Sequence, residues 1–314
     1  MTNRHAERPV AIVLGSNDVG SAVACALRGA GWSVVIVDDA DPPWHRRGMA
    51  FTNAWYIGNA ELEGAGACFC ASLKSIPSVL AHGMIAATTW SWGSVADALR
   101  PKVLVDAGRS HRRPEVLRGR VPLTIGIGPD FVAGENVDVA LEAPAGLAAV
   151  GSESPGVQDR APAAQRKSYV VASTRYGRFM TERRIGDSVR SGEKIGAVGN
   201  QAVAAPASGV LLGLAARGAR IEPGDELVEV DPNGVPYRCH GIGAGARKVA
   251  ANVLAVLAGR SATVEAVIGP NVLGSRGVST DRVVAPTAAA DVVGSLPPAP
   301  AVAGDSASRP VIAS

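Results

Sequence analysis

The sequence is short of cysteine, of net charge and of long apolar runs, and each shortage removes a class of protein. Four cysteines, Cys25, Cys68, Cys70 and Cys239, scattered over 314 residues are too few for a disulfide framework, and Cys68-x-Cys70 is tighter than the usual zinc spacing. Reduced thiols in the cytoplasm, and no metal site, are the expectation. Lys plus Arg number 31 against 28 Asp plus Glu, a net charge of +3. That excess is too small to wrap nucleic acid, so any anion site must be local. The first apolar run, Val10 to Leu14, follows a polar start and is too short for a signal segment. The longest uncharged stretch, Ser75 to Ala96, is interrupted by Pro77, His82, Gly83 and Gly93 and would insert poorly as a spanning helix. A cytoplasmic protein with neither a membrane nor a nucleic-acid partner is expected.

What is present is enough chain for two domains and an excess of turn formers. Gly at 37 and Pro at 21 exceed the roughly 7% and 5% of an average chain. Val10 to Leu14 is an apolar run followed by Gly15-Ser-Asn-Asp-Val-Gly20 and by apolar Val19, Val23, Ala26, Leu27 and Ala30 at helical spacing. Gly31 closes that helix, and Ser33 to Asp39 reads as a second strand ending in two acids, which completes a βαβ unit. Met84 to Thr88, Lys102 to Asp106, Val121 to Ile127 and Val137 to Leu141 are further strand candidates. Several lack alternation, as buried parallel strands do. The reading is an α/β class chain: a Rossmann-like parallel-sheet domain over residues 1–150, then a linker over 151–167.

Beyond the linker lies a repeat. A shift of 32 residues superposes Gly177 on Gly209, Gly186 on Gly218, Val189 on Ile221, Gly192 on Gly224, Ile195 on Leu227 and Val198 on Val230. Each copy is too small to bury a core alone, so the two should interlock about a pseudo-twofold axis as a small barrel or sandwich over 168–235. Val249, Val253, Leu254 and Leu257 suggest a helix within 240–260 that packs back on either domain. Residues 261–314, rich in Ala, Pro, Ser, Gly and Val, are expected to be largely disordered.

Candidate ligand residues sit where strands end. Gly15, Asn17 and Gly20 form a dinucleotide fingerprint whose middle glycine is replaced by Asn17. The first Gly makes the turn and the last lets the helix pack closely. Asp38 or Asp39, 23 or 24 residues after Gly15, stands near where an acid would accept from a ribose. The same features also suit an α/β sheet that binds nothing. Two basic loops, His45-Arg46-Arg47 and Arg109-Ser-His111-Arg112-Arg113, follow strand ends where guanidinium forks could hold phosphate, or are solvated surface. Gly126, Gly128 and Gly134 allow close backbone approach to a ligand, or shape a tight crossover. No catalytic nucleophile is assembled, and Cys68, Cys70 and Cys239 are more simply read as packing residues.

Gly48-Met-Ala-Phe-Thr-Asn-Ala-Trp-Tyr-Ile-Gly58, Val103-Leu-Val-Asp-Ala107, the loop Pro122-Leu-Thr-Ile-Gly-Ile-Gly-Pro-Asp-Phe-Val-Ala-Gly-Glu-Asn-Val-Asp138 and Ala205-Pro206 with Gly209-Val-Leu together resemble the selenium-dependent molybdenum hydroxylase system proteins, the YqeB-like family. The resemblance runs from about Val10 to Leu257. It implies an accessory role in maturing a molybdenum hydroxylase of the xanthine dehydrogenase type, with that hydroxylase as client protein and a molybdopterin-type dinucleotide, or a precursor, as the nucleotide-bearing ligand. Glu142-Ala-Pro-Ala-Gly146 departs from the polar segment that family members carry there. The repeat resembles a biotinyl or lipoyl barrel-sandwich hybrid, but its hairpin turn, Gly199-Asn200-Gln201, has no attachment lysine; Lys194 and Lys248 do not fit the tip. The alternatives are an NAD(P)-dependent oxidoreductase and a non-catalytic assembly scaffold.

Overall fold

Strands covered on both faces must divide their side chains between two cores, and the apolar runs of the first half do so. The computed structural model describes residues 8–108, 115–143, 157–158 and 168–259. Val10–Leu14 (β1) leads through a turn into Asp18–Gly29 (α1), and Ser33–Val37 (β2) follows. Asn53–Ile57 (α2), the hairpin Asn59–Leu62 (β3) and Ala65–Phe69 (β4), and Ile76–Ala81 (α3) lead to Ile85–Thr88 (β5). Trp92–Leu99 (α4), Val103–Asp106 (β6), Thr124–Ile127 (β7) and Val139–Leu141 (β8) complete an eight-stranded sheet. Its order is β3-β4-β5-β2-β1-β6-β7-β8. All pairs are parallel except the β3–β4 hairpin. That hairpin is a local departure from the sequence reading, since Asn59–Leu62 alternates weakly and carries Glu61.

Ala11, Val13, Val34, Ile36, Val103 and Val105 face one core with Val19, Val23 and Leu27 of α1. Ile12, Leu14, Val35, Val37 and Leu104 face the other with Ile76, Val95 and Leu117. This is the two-sided burial that continuous apolar strands demand.

The second half is antiparallel. Val157–Gln158 (β9), inside the stretch read as linker, pairs with Tyr169–Ala172 (β10). Gly177–Thr181 (β11), Ser188–Val189 (β12) and Lys194–Val198 (β13) form the first repeat copy. After Gln201–Ala204 (β14), the second copy follows as Gly209–Leu214 (β15), Arg220–Ile221 (β16) and Glu226–Asp231 (β17). Two sheets result, β12-β15-β17-β10-β9 and β14-β13-β11-β16. The copies exchange strands reciprocally: β12 of the first pairs with β15 of the second, and β16 of the second with β11 of the first. Their shared core holds Phe179, Ile195, Leu211, Leu214, Ile221 and Leu227. The glycine turns match as well, since Gly186, Gly192, Gly218 and Gly224 all have positive φ.

Ala244–Leu257 (α5) then returns to the sheet module. Its Val249, Ala250 and Val253 join α1 in the first core, each buried valine contributing about 1.5–3 kcal/mol. The Ile242 amide donates to Glu63 at the β3–β4 turn and fixes the helix entry. Both modules lie within one compact unit, Met1–Val272. The region read as a disordered tail lies outside the described residues. No helix among those described is long and apolar enough to cross a membrane.

Candidate functional site

A doubly wound sheet places ligands outside its strand ends where neighbouring connections diverge. Here that point lies between β1 and β6, because β1 leads to β2 on one side while β6 lies on the other. The protein fills it from within. Asn17 donates through Nδ2 to the carbonyls of Ala107 (2.8 Å) and Gly108 (2.9 Å). Its Oδ1 accepts from the Gly20 amide at 2.9 Å, as an N-cap does. The Val19 amide donates to Asp18 and the Ser16 amide to Asp38, at 2.9 and 2.6 Å. Gly15, with φ of 98°, brings its own backbone against Gly108; a Cβ there would lie 2.4 Å from the Gly108 carbonyl oxygen. The amides of Gly15, Ser16, Val19 and Gly20 are thus satisfied internally, and a buried acid, Asp18, stands at the start of the helix.

Asp38 is also inward. Burial pushes its carboxyl up, partly offset by hydrogen bonds from Ser16 and the Asp39 amide. Asp39 is half-buried beside it and engaged within the protein. Gly126 is needed for an internal neighbour, since a Cβ there would fall 2.2 Å from the Phe131 ring. Gly128 and Gly134, with φ of 136° and 83°, shape the crossover loop. Arg109, His111, Arg112 and Arg113 lie outside the described residues.

The other basic loop runs to the antiparallel module. The His45 carbonyl accepts from the Leu214 amide at 2.7 Å. Arg46 donates from Nε and Nη2 to the two oxygens of Glu229, at 2.6 and 2.7 Å. His45 Nε2 lies 3.0 Å from Glu229 Oε2, and Ser168 donates its hydroxyl to Oε1. An ionised carboxylate only accepts, so Nε2 carries the proton. His45 Nδ1 faces Glu226 Oε2 at 3.4 Å, an ion-pair distance without hydrogen-bond geometry. Asp18 Oδ2 lies 3.8 Å from Arg46 Nη1. Burial alone would push the Glu229 carboxyl up, but His45 and Arg46 outweigh it and hold it well below the usual carboxylate range. For Asp18 burial wins against Arg46 and the carboxyl is pushed up. Glu229 and His45, 0% and 2% exposed, are the centre of an ionic joint between the modules. In this arrangement Arg46 is occupied by that joint.

Arg47 points elsewhere. Nε donates to the Leu214 carbonyl at 2.8 Å and Nη1 to Asn53 Oδ1 at 2.5 Å. Both partners are neutral, and Arg47 meets no carboxylate among the described residues. Burial pushes its guanidinium below its ordinary value. It lines an open cleft of about 330 Å³ with Gly48, Asn53 and Glu61 of the sheet module, Arg183, Arg184 and Ile185 of the antiparallel module, and His240. Arg183 is paired with Glu193. The side chains of Arg184 and His240 make no hydrogen bond or ion pair among the described residues. Gly48 allows the approach of the His240 segment, since a Cβ there would meet the Cys239 carbonyl oxygen at 2.3 Å. The Gly241 amide donates back to the Gly48 carbonyl at 3.1 Å. With Arg183 offset by Glu193, Arg47, Arg184 and His240 against Glu61 still make a cavity suited to an anion.

No family model matches the sequence. The chain is similar to the uncharacterized protein YqeB of Escherichia coli (strain K12), 25% identical over 253 residues, 78% of this chain and 47% of that protein. The chain thus spans about half the length of the curated relative it matches. A crystal structure of a succinylglutamate desuccinylase/aspartoacylase from Rhodobacter sphaeroides superposes with a TM-score of 0.21 at 10% identity, covering 71% of this chain and 86% of that one. A superposition that loose carries no structural or functional argument.

Arg183, Arg184 and His240 were not singled out by sequence reasoning. The available signal is the adjacent pair Arg183-Arg184 at a turn of the repeat, where a core module gains nothing from two cations. The thiols take no visible part. Burial pushes Cys25 up to about 12 and raises Cys70 and Cys239, which suppresses the reactive thiolate. Among the described residues no group of three or more His, Cys, Asp and Glu is placed to hold a metal.

Proposed function

We propose that the protein is an accessory factor in maturing a molybdenum hydroxylase of the xanthine dehydrogenase type, and that it holds a molybdopterin-type nucleotide cofactor, or its precursor, in the cleft between its modules. The observation that carries this reading is Arg47: a half-buried guanidinium lining an open cavity, held by Asn53 and Leu214, with no carboxylate partner among the described residues. A cation drawn partly out of water without a counter-charge favours an anionic partner. The cleft volume is at the small end for ligand pockets, about 300–1,000 Å³, so it suits one phosphate-bearing half of a dinucleotide with the remainder in the open mouth. The resemblance of Gly48 to Gly58 and of the Pro122 to Asp138 loop to the selenium-dependent molybdenum hydroxylase system proteins supports the pathway.

In this reading the antiparallel module is a barrel-sandwich hybrid serving as lid and client-docking surface. Its Gly199-Asn200-Gln201 turn offers no amine for biotin or lipoate, so the module works by contact. The oxidoreductase alternative is less favoured at the switch point, because Asn17, Asp18 and Asp38 already accept from three of the turn's amides, those of Gly20, Val19 and Ser16. The place of action is the cytoplasm, in keeping with four free thiols.

The test is mass spectrometry with pterin fluorescence on small molecules released from protein purified out of a host that makes molybdenum cofactor. Molybdopterin or its dinucleotide is expected. A nicotinamide would replace this reading with the oxidoreductase, and an empty protein would leave the scaffold.

A further inference from the structure

The cleft is divided between modules in a way that a passive pocket does not require. Arg47 and Asn53 come from the sheet module, Arg183 and Arg184 from the turn between β11 and β12, and His240 from the segment leading into α5. Two of the cations are tethered, Arg47 by Leu214 and Asn53 and Arg183 by Glu193. The other two polar side chains, Arg184 and His240, have no internal partner among the described residues. Arg184 and His240 are exposed, so their donors are available to a ligand that enters beside the half-buried Arg47. The boundary itself is narrow in backbone terms: Leu214 N–H to the His45 carbonyl, and Gly241 N–H to the Gly48 carbonyl.

We propose that the cleft is a phosphomonoester site built across the two modules, in which Arg184 and His240 close on the phosphate presented to Arg47 and so tie the antiparallel module to the sheet module. The ligand class follows from the donors. Arginine forks and an imidazole N–H offer hydrogen bonds in several directions, as a terminal phosphate with three free oxygens requires and a carboxylate with two does not. The phosphate accepts from donors of both modules, so binding and module docking are one event. Release to a client then requires the boundary to open. The inference rests on the cofactor reading for the ligand's identity, but not for the phosphate site, and within that reading it selects the precursor with a terminal phosphate, since both phosphates of a dinucleotide are bridged.

The experiment uses the full chain with phenyl phosphate as probe and sulfate and benzoate as controls. Binding is followed by 31P NMR, and amide hydrogen exchange is read at Leu214 and Gly241. The expected result is phenyl phosphate binding that weakens about tenfold in both Arg184→Ala and His240→Ala, the cost of one charge-assisted hydrogen bond, and stays unchanged in Arg190→Ala. Saturating probe should slow exchange at both amides in the wild type and lose that effect in the two cleft variants. Equal affinity across all variants, or benzoate binding as tightly as phenyl phosphate, would overturn the site. Binding without a change in exchange would overturn the tie. If the site behaves as expected while no pterin is released from purified protein, the cofactor reading fails and the phosphate site stands. Pterin retained equally by the wild type and Arg184→Ala would have the opposite meaning.

Discussion

Arg46 and Glu229, 183 residues apart in sequence, meet in two parallel hydrogen bonds of 2.6 and 2.7 Å across the boundary between the parallel sheet and the antiparallel module. With His45 and Ser168 on the remaining lone pairs, the Glu229 carboxylate is fully satisfied although it is out of contact with water. Removing one partner from such a cluster leaves the others uncompensated.

Glu229→Gln should therefore destabilise the protein by about 3–5 kcal/mol, read as a lower urea midpoint. The double variant Arg46→Met with Glu229→Leu, which removes the charges together, should lose less. A larger loss in the double variant would show that the boundary depends on packing rather than on the paired charges.

The pH dependence has a definite sign. Because the folded protein holds Glu229 below its ordinary value of 4.5, its contribution is present above that pH and drains away as pH falls toward the folded value. Asp18 and Asp38 are raised above 3.8 by burial, so each favours the fold at low pH and gives up stability as pH rises through its folded value. Wild-type stability should fall on acidification below about pH 4.5, and Glu229→Gln should flatten that fall. Urea midpoints measured from pH 3 to 7 check it; an unchanged acid arm in Glu229→Gln would contradict the assignment.

Much of this arrangement is legible in the sequence where it is local. The βαβ start follows from unbroken apolar runs and helical spacing, and the repeat from glycines that the structure places at positive φ, Gly186 with Gly218 and Gly192 with Gly224. The joint is not legible in the same way. Nothing in His45-Arg46-Arg47 distinguishes a phosphate clamp from an ion pair, because the partner lies in another module. The trace that points to it is Glu229 itself, an acid inside the apolar strand Leu227-Val-Glu-Val230, which has to be paired when buried. Asn17 is similar: its place in the fingerprint is visible, whereas its bonds to Ala107 and Gly108 depend on a strand 90 residues away.

Asn17→Ala removes a helix cap and two bonds across the switch point. A loss of about 1–2 kcal/mol is expected, with phenyl phosphate binding in the cleft unchanged. Denaturant unfolding and 31P NMR on the same preparation check both halves. Weakened phosphate binding would return the turn at Gly15 to Gly20 to consideration as the ligand site.

Gly213→Ala tests the closeness of the modules. A Cβ at Gly213 would lie 2.3 Å from His45 Cδ2 and 3.1 Å from Glu229 Cβ, so the joint must shift. Overpacking of this kind costs about 1–3 kcal/mol, and exchange at the Leu214 amide should accelerate while the β1 and β2 amides keep their protection.

The central claim is that Arg47 holds an anionic cofactor, and the most direct measurement compares pterin occupancy in wild type, Arg47→Met and Arg184→Ala purified from a host that makes molybdenum cofactor. The methionine keeps much of the buried stem while removing the charge, and Arg184→Ala guards against a variant that loses ligand only by loosening Leu214. The account predicts near-stoichiometric pterin in the wild type and marked loss in both variants. Equal occupancy in all three, or no pterin in the wild type, would contradict it.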